Sequence, residues 1–435
     1  MTTKQRLNQL LFDRLRNDYE VSIDHSGVSG NRLASRLAEL ANIGLTEDDG
    51  CNRISFSKEE RQAKELVKTW MKEAGLTVVE DGAGNVFGRL EGKEELPAVL
   101  SGSHVDSVPN GGHFDGPLGV LAALEVAEAW KETNFQPKKP FEVVIFTDEE
   151  GARFNGGLTG SRAFTGEFDL EQQVKLNDFD GRSFQEVVEA DGLSAEGFLE
   201  AKRDFSTVDS FVEVHIEQGK RLEKQDLPVG VVTGIAGPCW LNVTFKGKAG
   251  HAGNTPMNDR NDALTAASEF VLQVQKLPST VSSSAVATVG KLQVSPNGVN
   301  VIPGEVRLTV DIRDIHEDTR NQLTELVIQA AERISDNNDI ELSIEETLKV
   351  SPVPIDETMQ AKAGQAAQEI LGKEAFYLPS GAGHDAMVVG RYVPTAMLFT
   401  RSKDGVSHNP AEWSSLYDCV QTVHVLKKFL EKLVE

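Results

Sequence analysis

Four short stretches of this chain carry residue types that can hold a metal ion and move a proton. The first is Gly102-Ser103-His104-Val105-Asp106-Ser107-Val108, followed by Gly111-Gly112-His113-Phe114-Asp115-Gly116. His104 can offer an imidazole nitrogen to a divalent ion. Asp106, two residues on, can accept the other ring N–H and fix the tautomer. Asp115 can use both carboxylate oxygens and so bridge two ions. The second stretch is Thr147-Asp148-Glu149-Glu150-Gly151-Ala152-Arg153-Phe154. Metal-assisted hydrolysis needs one carboxylate on the ion and another, unligated, to take a proton from water. Adjacent glutamates on a turn can diverge into those two roles. The third stretch is Val214-His215-Ile216-Glu217-Gln218-Gly219, and the fourth is Gly405-Val406-Ser407-His408-Asn409-Pro410-Ala411-Glu412-Trp413. Taken singly, each has an ordinary alternative: a surface histidine, a solvated acidic turn, a core histidine. Nitrogen and oxygen donors without thiolate suit Zn, Mn, Co or Ni, and donor type alone does not choose among them.

The elements that must position these residues read as α/β. Residues 57–75 form a helix signal, with Ser57 and Glu60 at capping-box spacing and Gly75 as the stop. Strand-like apolar runs cover 76–80, 97–102 and 141–147, and a strong helical pattern covers 118–132. Strands alternating with helices predict a mostly parallel sheet, where function collects at the carboxyl ends of strands. His104 and the acidic run 148–150 fall there. The middle of the chain differs. Strand-like runs at 241–246, 285–294, 306–313 and 342–348 interleave with helices at 259–276 and 318–335. That β-α-β-β-α-β order is ferredoxin-like. The expected organisation is a catalytic domain in two parts, 1–238 and 350–435, around an inserted α+β domain at 239–349.

Composition narrows the function classes. The net charge of −23 argues against nucleic-acid binding, which needs basic surface. An anionic substrate would need local positive charge from metals or arginine. Cys51, Cys239 and Cys419 form no paired pattern, so a reducing, cytoplasmic setting is expected. The first twenty residues lack an apolar core and resemble an amphipathic helix more than a signal peptide. No run is long enough to span a bilayer, so no membrane partner is expected.

Together the motifs resemble the co-catalytic metal aminoacylase and exopeptidase superfamily. More narrowly they resemble its N-carbamoyl-L-amino-acid hydrolase, allantoate amidohydrolase and β-ureidopropionase group. The resemblance rests on G-S-H-V-D-S-V, G-G-H-F-D-G-P-L-G-V, T-D-E-E-G-A-R-F, H-I-E-Q-G, H-A-G-N-T-P-M, N-V-I-P-G, S-G-A-G-H-D-A and V-S-H-N-P-A-E, and runs from about Asn52 to the C-terminus. It implies two divalent ions per subunit. His104, Asp115 and His215 would hold one, and Asp115, Glu150 and His408 the other, with Asp106 supporting His104. Glu149 would be the general base. A cis peptide is implied after Asp115. His251, of the partner subunit in a homodimer formed through the inserted domain, would stabilise the oxyanion. Such a donor is commonly worth about 3 kcal/mol. Asn300 and Arg313 would bind the substrate carboxylate, Arg313 through its planar fork. Gln218 would contact the ureido group, and Gly381, Ala382 and His384 would line the substrate loop. The implied substrate is a small anionic N-carbamoyl-L-amino acid, cleaved to amino acid, ammonia and carbon dioxide. Allantoate or β-ureidopropionate hydrolysis is the alternative, ahead of a peptidase or a non-catalytic scaffold. His113 is expected to be structural or exposed.

Overall fold

The computed structural model describes residues 3–435, and of 3–9 the backbone alone. It divides into two compact units. One comprises Met1–Val232, Ile355–Leu378 and His384–Glu435, and the other Thr233–Pro354 and Pro379–Gly383. Residues 239–349 fall within the second.

The first unit is built on one large sheet, whose strand Val229–Ile235 runs past Val232 into the second unit. Its strands lie in the order Thr77–Glu80, Val86–Leu90, Phe141–Phe146, Ala98–His104, Val208–Ile216, Thr395–Thr400 and Val229–Ile235. Ala98–His104 runs parallel to Phe141–Phe146 on one side and to Val208–Ile216 on the other. Thr395–Thr400 continues the parallel set. The flanking strands Val86–Leu90 and Val229–Ile235 are antiparallel. The run Phe-Glu-Val-Val-Ile-Phe is buried throughout, as expected of a strand covered on both faces. Ala98–His104 is equally buried. Its two serines remain because each hydroxyl finds a partner: Ser101 donates to the Val212 carbonyl and Ser103 to the Glu213 carboxylate. The strand therefore continues past residue 102, and His104 is its last residue. Helix Pro117–Thr133 packs behind the sheet, with buried residues around most of its circumference.

Helix Lys58–Ala74 is capped by Ser57, whose side chain accepts the Glu60 N–H, and closes on Gly75 in the left-handed region. The expected capping box is half formed. Glu60 turns instead to the Phe56 N–H and to Lys64, an ion pair with no exposed side-chain surface.

The second unit contains an antiparallel sheet in the order Glu341–Lys349, Gly237–Lys246, Glu305–Asp314, Val286–Ser295, with helices Ala263–Lys276 and Glu317–Asn338. This is the ferredoxin-like arrangement. Leu241, Val243, Phe245, Val306, Leu308, Val310 and Ile312 alternate along two central strands and meet Phe270, Val274, Leu323 and Val327 of the helices. The period of two leaves the opposite sheet face polar.

Candidate metal centre

The parallel strands of the first unit end at one place. His104 closes its strand beside Phe146, and His215 lies next to the end of its own strand, in register with Phe399. The acidic turn 147–150 follows Phe141–Phe146 directly. His104, Asp115 and His215 offer atoms within 4.8 Å of one another, and so do Asp115, Glu150 and His408. Asp115 belongs to both groups and divides its oxygens between them. Oδ1 lies 3.0 Å from His215 Nε2 and 3.6 Å from His104 Nε2. Oδ2 lies 3.4 Å from His408 Nε2, which is 3.3 Å from Glu150 Oε2.

The tautomers are set from behind. His215 Nδ1 donates to the Ile216 carbonyl at 2.9 Å, and His104 Nδ1 to the Asp106 carbonyl at 3.1 Å. Both leave Nε2 facing the centre. His104 Nε2 is buried without a hydrogen-bond partner, 3.6 Å from Glu149 Oε2. An orphaned imidazole nitrogen among carboxylates fits a cation. The Asp106 carboxylate, expected on the His104 ring, is 3.5 Å from it. Its two oxygens accept the backbone N–H groups of Glu149 and Glu150 at 3.3 and 3.2 Å.

The electrostatics follow from crowding acids in a dry site. Burial pushes the Glu149 carboxyl well above its ordinary value, helped by Glu150, Asp385 and Asp115 and opposed by His104. Burial and Asp115 raise Glu150 to about 7. Burial alone would raise Asp115, yet His215, His104 and His408 hold it well below the usual carboxylate range. Burial would lower His104, but Glu149, Asp106 and Asp115 outweigh it and lift it well above 6.5. His408 is raised to about 9, first by its hydrogen bond to Asp115. Divalent cations are the natural neutralising partner for such a set.

Three non-glycine residues here adopt positive φ: Asp148 at 57°, Gln218 at 54° and His408 at 54°. Left-handed backbone at such residues costs of order 1 kcal/mol each and clusters where function demands it. Asp148 is held in its turn by the hydroxyls of Ser55 and Thr159. The expected cis bond after Asp115 is absent; among the described residues the cis peptide is Ser295–Pro296. The chain turns instead through Gly116 at φ 78°, where a Cβ would overlap the His104 ring.

Other expected residues are placed as follows. Gln218 Nε2 donates to Asp115 Oδ2 at 2.7 Å and to Ser407 Oγ at 3.2 Å. His384 is buried with its ring edge-on to His215, centroids 4.5 Å apart, so it backs that ring. His113 is nearly buried and bonded to the Asp49 carbonyl, hence structural. In the second unit, His251 is exposed and pairs with Val301, and the Asn300 carbonyl accepts the Ala252 N–H. Arg313 gives Nε and Nη2 to Asp311 and Nη1 to the Gly381 carbonyl at 2.7 Å. Its fork is thus engaged by a neighbouring carboxylate. Gly381 and Ala382 share that short loop. Ser407 and Glu412, which the sequence reading gave no role, both bond within this centre. Their only signal was membership of the motif around His408.

Residues 100–432 match Peptidase family M20/M25/M40. The chain is similar to an N-carbamoyl-L-amino acid amidohydrolase of Geobacillus stearothermophilus: 44% identical over 400 residues, covering 92% of this chain and 97% of that one. It is 38% identical over 408 residues to an allantoate amidohydrolase of Bacillus subtilis (strain 168), covering 93% and 97%. A crystal structure of an amidase of the hydantoinase/carbamoylase family from Burkholderia multivorans superposes with a TM-score of 0.88 at 36% identity, covering 94% and 98%.

Proposed function

The chain belongs to peptidase family M20/M25/M40, a metal-dependent family, and from that premise we propose that it hydrolyses N-carbamoyl-L-amino acids at a centre of two divalent ions. One observation carries the reading: two ligand groups meet on Asp115 with Glu149 beside them. Zn is the first candidate ion, with Mn, Co or Ni also suited to the donors. Bound ions would polarise the carbamoyl oxygen and acidify water.

The residues supply the rest. Glu149 takes a proton from the attacking water and later delivers it to the leaving amine nitrogen. Its high pKa in the protein alone suits it to hold that proton between the two transfers. Asp106 fixes the Glu149 backbone, so the carboxylate pivots from an anchored point. Gln218 contacts the ureido group, His251 of the partner subunit the oxyanion, and Asn300 and Arg313 the substrate carboxylate. Gly381, Ala382 and His384 belong to the same substrate loop. For Arg313 this means exchanging Asp311 for the substrate, which places the guanidinium ready-oriented. A homodimer joined through the 233–354 unit is part of the proposal. So is a reducing, cytoplasmic setting, supported by three buried free cysteines. Among the described residues no helix is long and apolar enough to cross a membrane.

The similarity to an allantoate amidohydrolase favours a second reading, which uses the same ligands. Steady-state kinetics on N-carbamoyl-L-methionine and allantoate, with Zn, Mn, Co and Ni in parallel, tests the choice. A higher kcat/KM for the carbamoyl amino acid is expected. A preference for allantoate would transfer the assignment to the second reading, and no turnover of either would overturn both.

A further inference from the structure

Glu412 is 3% exposed and sits in the loop that carries His408, 297 positions from Asp115. Its Oε1 accepts the backbone N–H of Phe114 at 2.9 Å and of Asp115 at 3.1 Å. Its Oε2 lies 2.9 Å from Ser407 Oγ, which is also 2.8 Å from Asp115 Oδ2. One carboxylate therefore grips the loop of the shared ligand with one oxygen and the loop of His408 with the other. A buried acid placed among other acids is expensive unless its oxygens are satisfied. Here Oε1 takes two N–H donors and Oε2 shares the single Ser407 hydroxyl proton with Asp115. A second observation points the same way. A Cβ at Gly112 would overlap the Glu412 carboxylate, and Gly112 does not occupy the positive-φ region. Its backbone would accept alanine; the space Glu412 fills would not.

We infer that Glu412 is a positioning residue for the metal ligands, setting the separation of Asp115 from His408 through the Phe114–Asp115 backbone and Ser407. The inference rests on the ligand assignment proposed above. It differs from a merely structural brace in what it governs: the spacing of two ligands, not the integrity of the fold.

The test is Zn(II) affinity by competition with a chromophoric chelator, alongside thermal melting of the metal-free protein. Glu412→Ala is expected to weaken the weaker of two Zn(II) sites about 10–100-fold, the usual cost of losing an outer partner of a ligand. The metal-free melting curve should move little by comparison. Glu412→Gln keeps an acceptor for the two N–H groups and should recover part of the affinity. Gly112→Ala should weaken the same site by displacing Glu412. The Gly112→Ala/Glu412→Ala pair should bind no worse than Glu412→Ala, because the overlapped group has gone. Unchanged affinity in Glu412→Ala and Gly112→Ala, in a protein whose wild type binds two ions, overturns the inference alone. So does additivity in the double variant, with metal-free stability falling as far as affinity. A wild type that binds no Zn(II) overturns the ligand assignment and the inference with it.

Discussion

The two candidate ligand groups that meet on Asp115 are made from different materials. His104 and His215 lie in buried parallel strands, so hydrogen-bonded register fixes where their rings begin. His408 stands on a loop, in left-handed backbone, with 49% of its side chain exposed. Its place depends on side-chain contacts: Ser407 with Asp115 and Glu412, and Glu412 with the 114–115 backbone. One half is held by the sheet and the other by a few polar contacts. The first should be the tighter and less exchangeable site, since strand-borne groups are positioned more precisely than loop-borne ones.

The largest effect expected belongs to neither half. Glu149→Gln should lower kcat by about 10²–10⁴-fold, the range for a lost general base, while both ions remain bound. Loss of an ion in that variant would make Glu149 a ligand and redraw the comparison. Next come the ligands themselves, each costing more than the ~10–100-fold of an outer partner. His408→Ala should keep one tightly bound ion. His215→Ala should impair retention of both, because it removes the imidazole nearest the shared Asp115. Metal content by mass spectrometry after gel filtration reads this, and the opposite ranking would break the comparison. Chelation should then empty the centre in two stages, the first with little change in melting temperature and the second with a larger one. At a free-ion concentration of 100 Kd, a bound ion adds roughly 2.7 kcal/mol to stability, so calorimetry resolves the steps. The smallest effect lies on the outer flank of the open half. The Arg14 guanidinium stacks 3.9 Å from the Trp413 ring, next to Glu412. Arg14→Ala should cost about 0.5–1 kcal/mol in chemical denaturation, and no change would remove the N-terminal helix from the support of that half.

How much of this was legible in the sequence follows the same division. The strand-borne candidates His104 and His215 are visible in the sequence, because an apolar run ending in His or acids is a local pattern. The run Phe-Glu-Val-Val-Ile-Phe, then Thr147 and three acids, marks a strand end from local sequence, while a role for the acids needs the other motifs beside it. The expected run 97–102 stops two residues short of His104, because Ser103 belongs to the strand only through its partner, the Glu213 carboxylate on the neighbouring strand. The central strands of the second unit are readable from the alternation in residues 241–246 and 306–313. What stayed hidden was non-local. Nothing near Glu412 says that it binds backbone 297 positions away. Nothing near Glu60 says that Lys64 and Phe56 will claim the carboxylate that a capping box would use. Nothing in the spacing of Arg313 says that Asp311, two residues back, will occupy its fork.

Asp106 has a consequence for anyone who would redesign this protein. By gripping the peptide N–H of residues 149 and 150 with separate oxygens, it fastens the main chain of both while leaving their side chains untouched. Chemistry at position 149 can therefore be rewritten, to a thiol or an amide, without dragging its neighbour out of place. Changing position 106 would release the main chain at both positions in a single stroke.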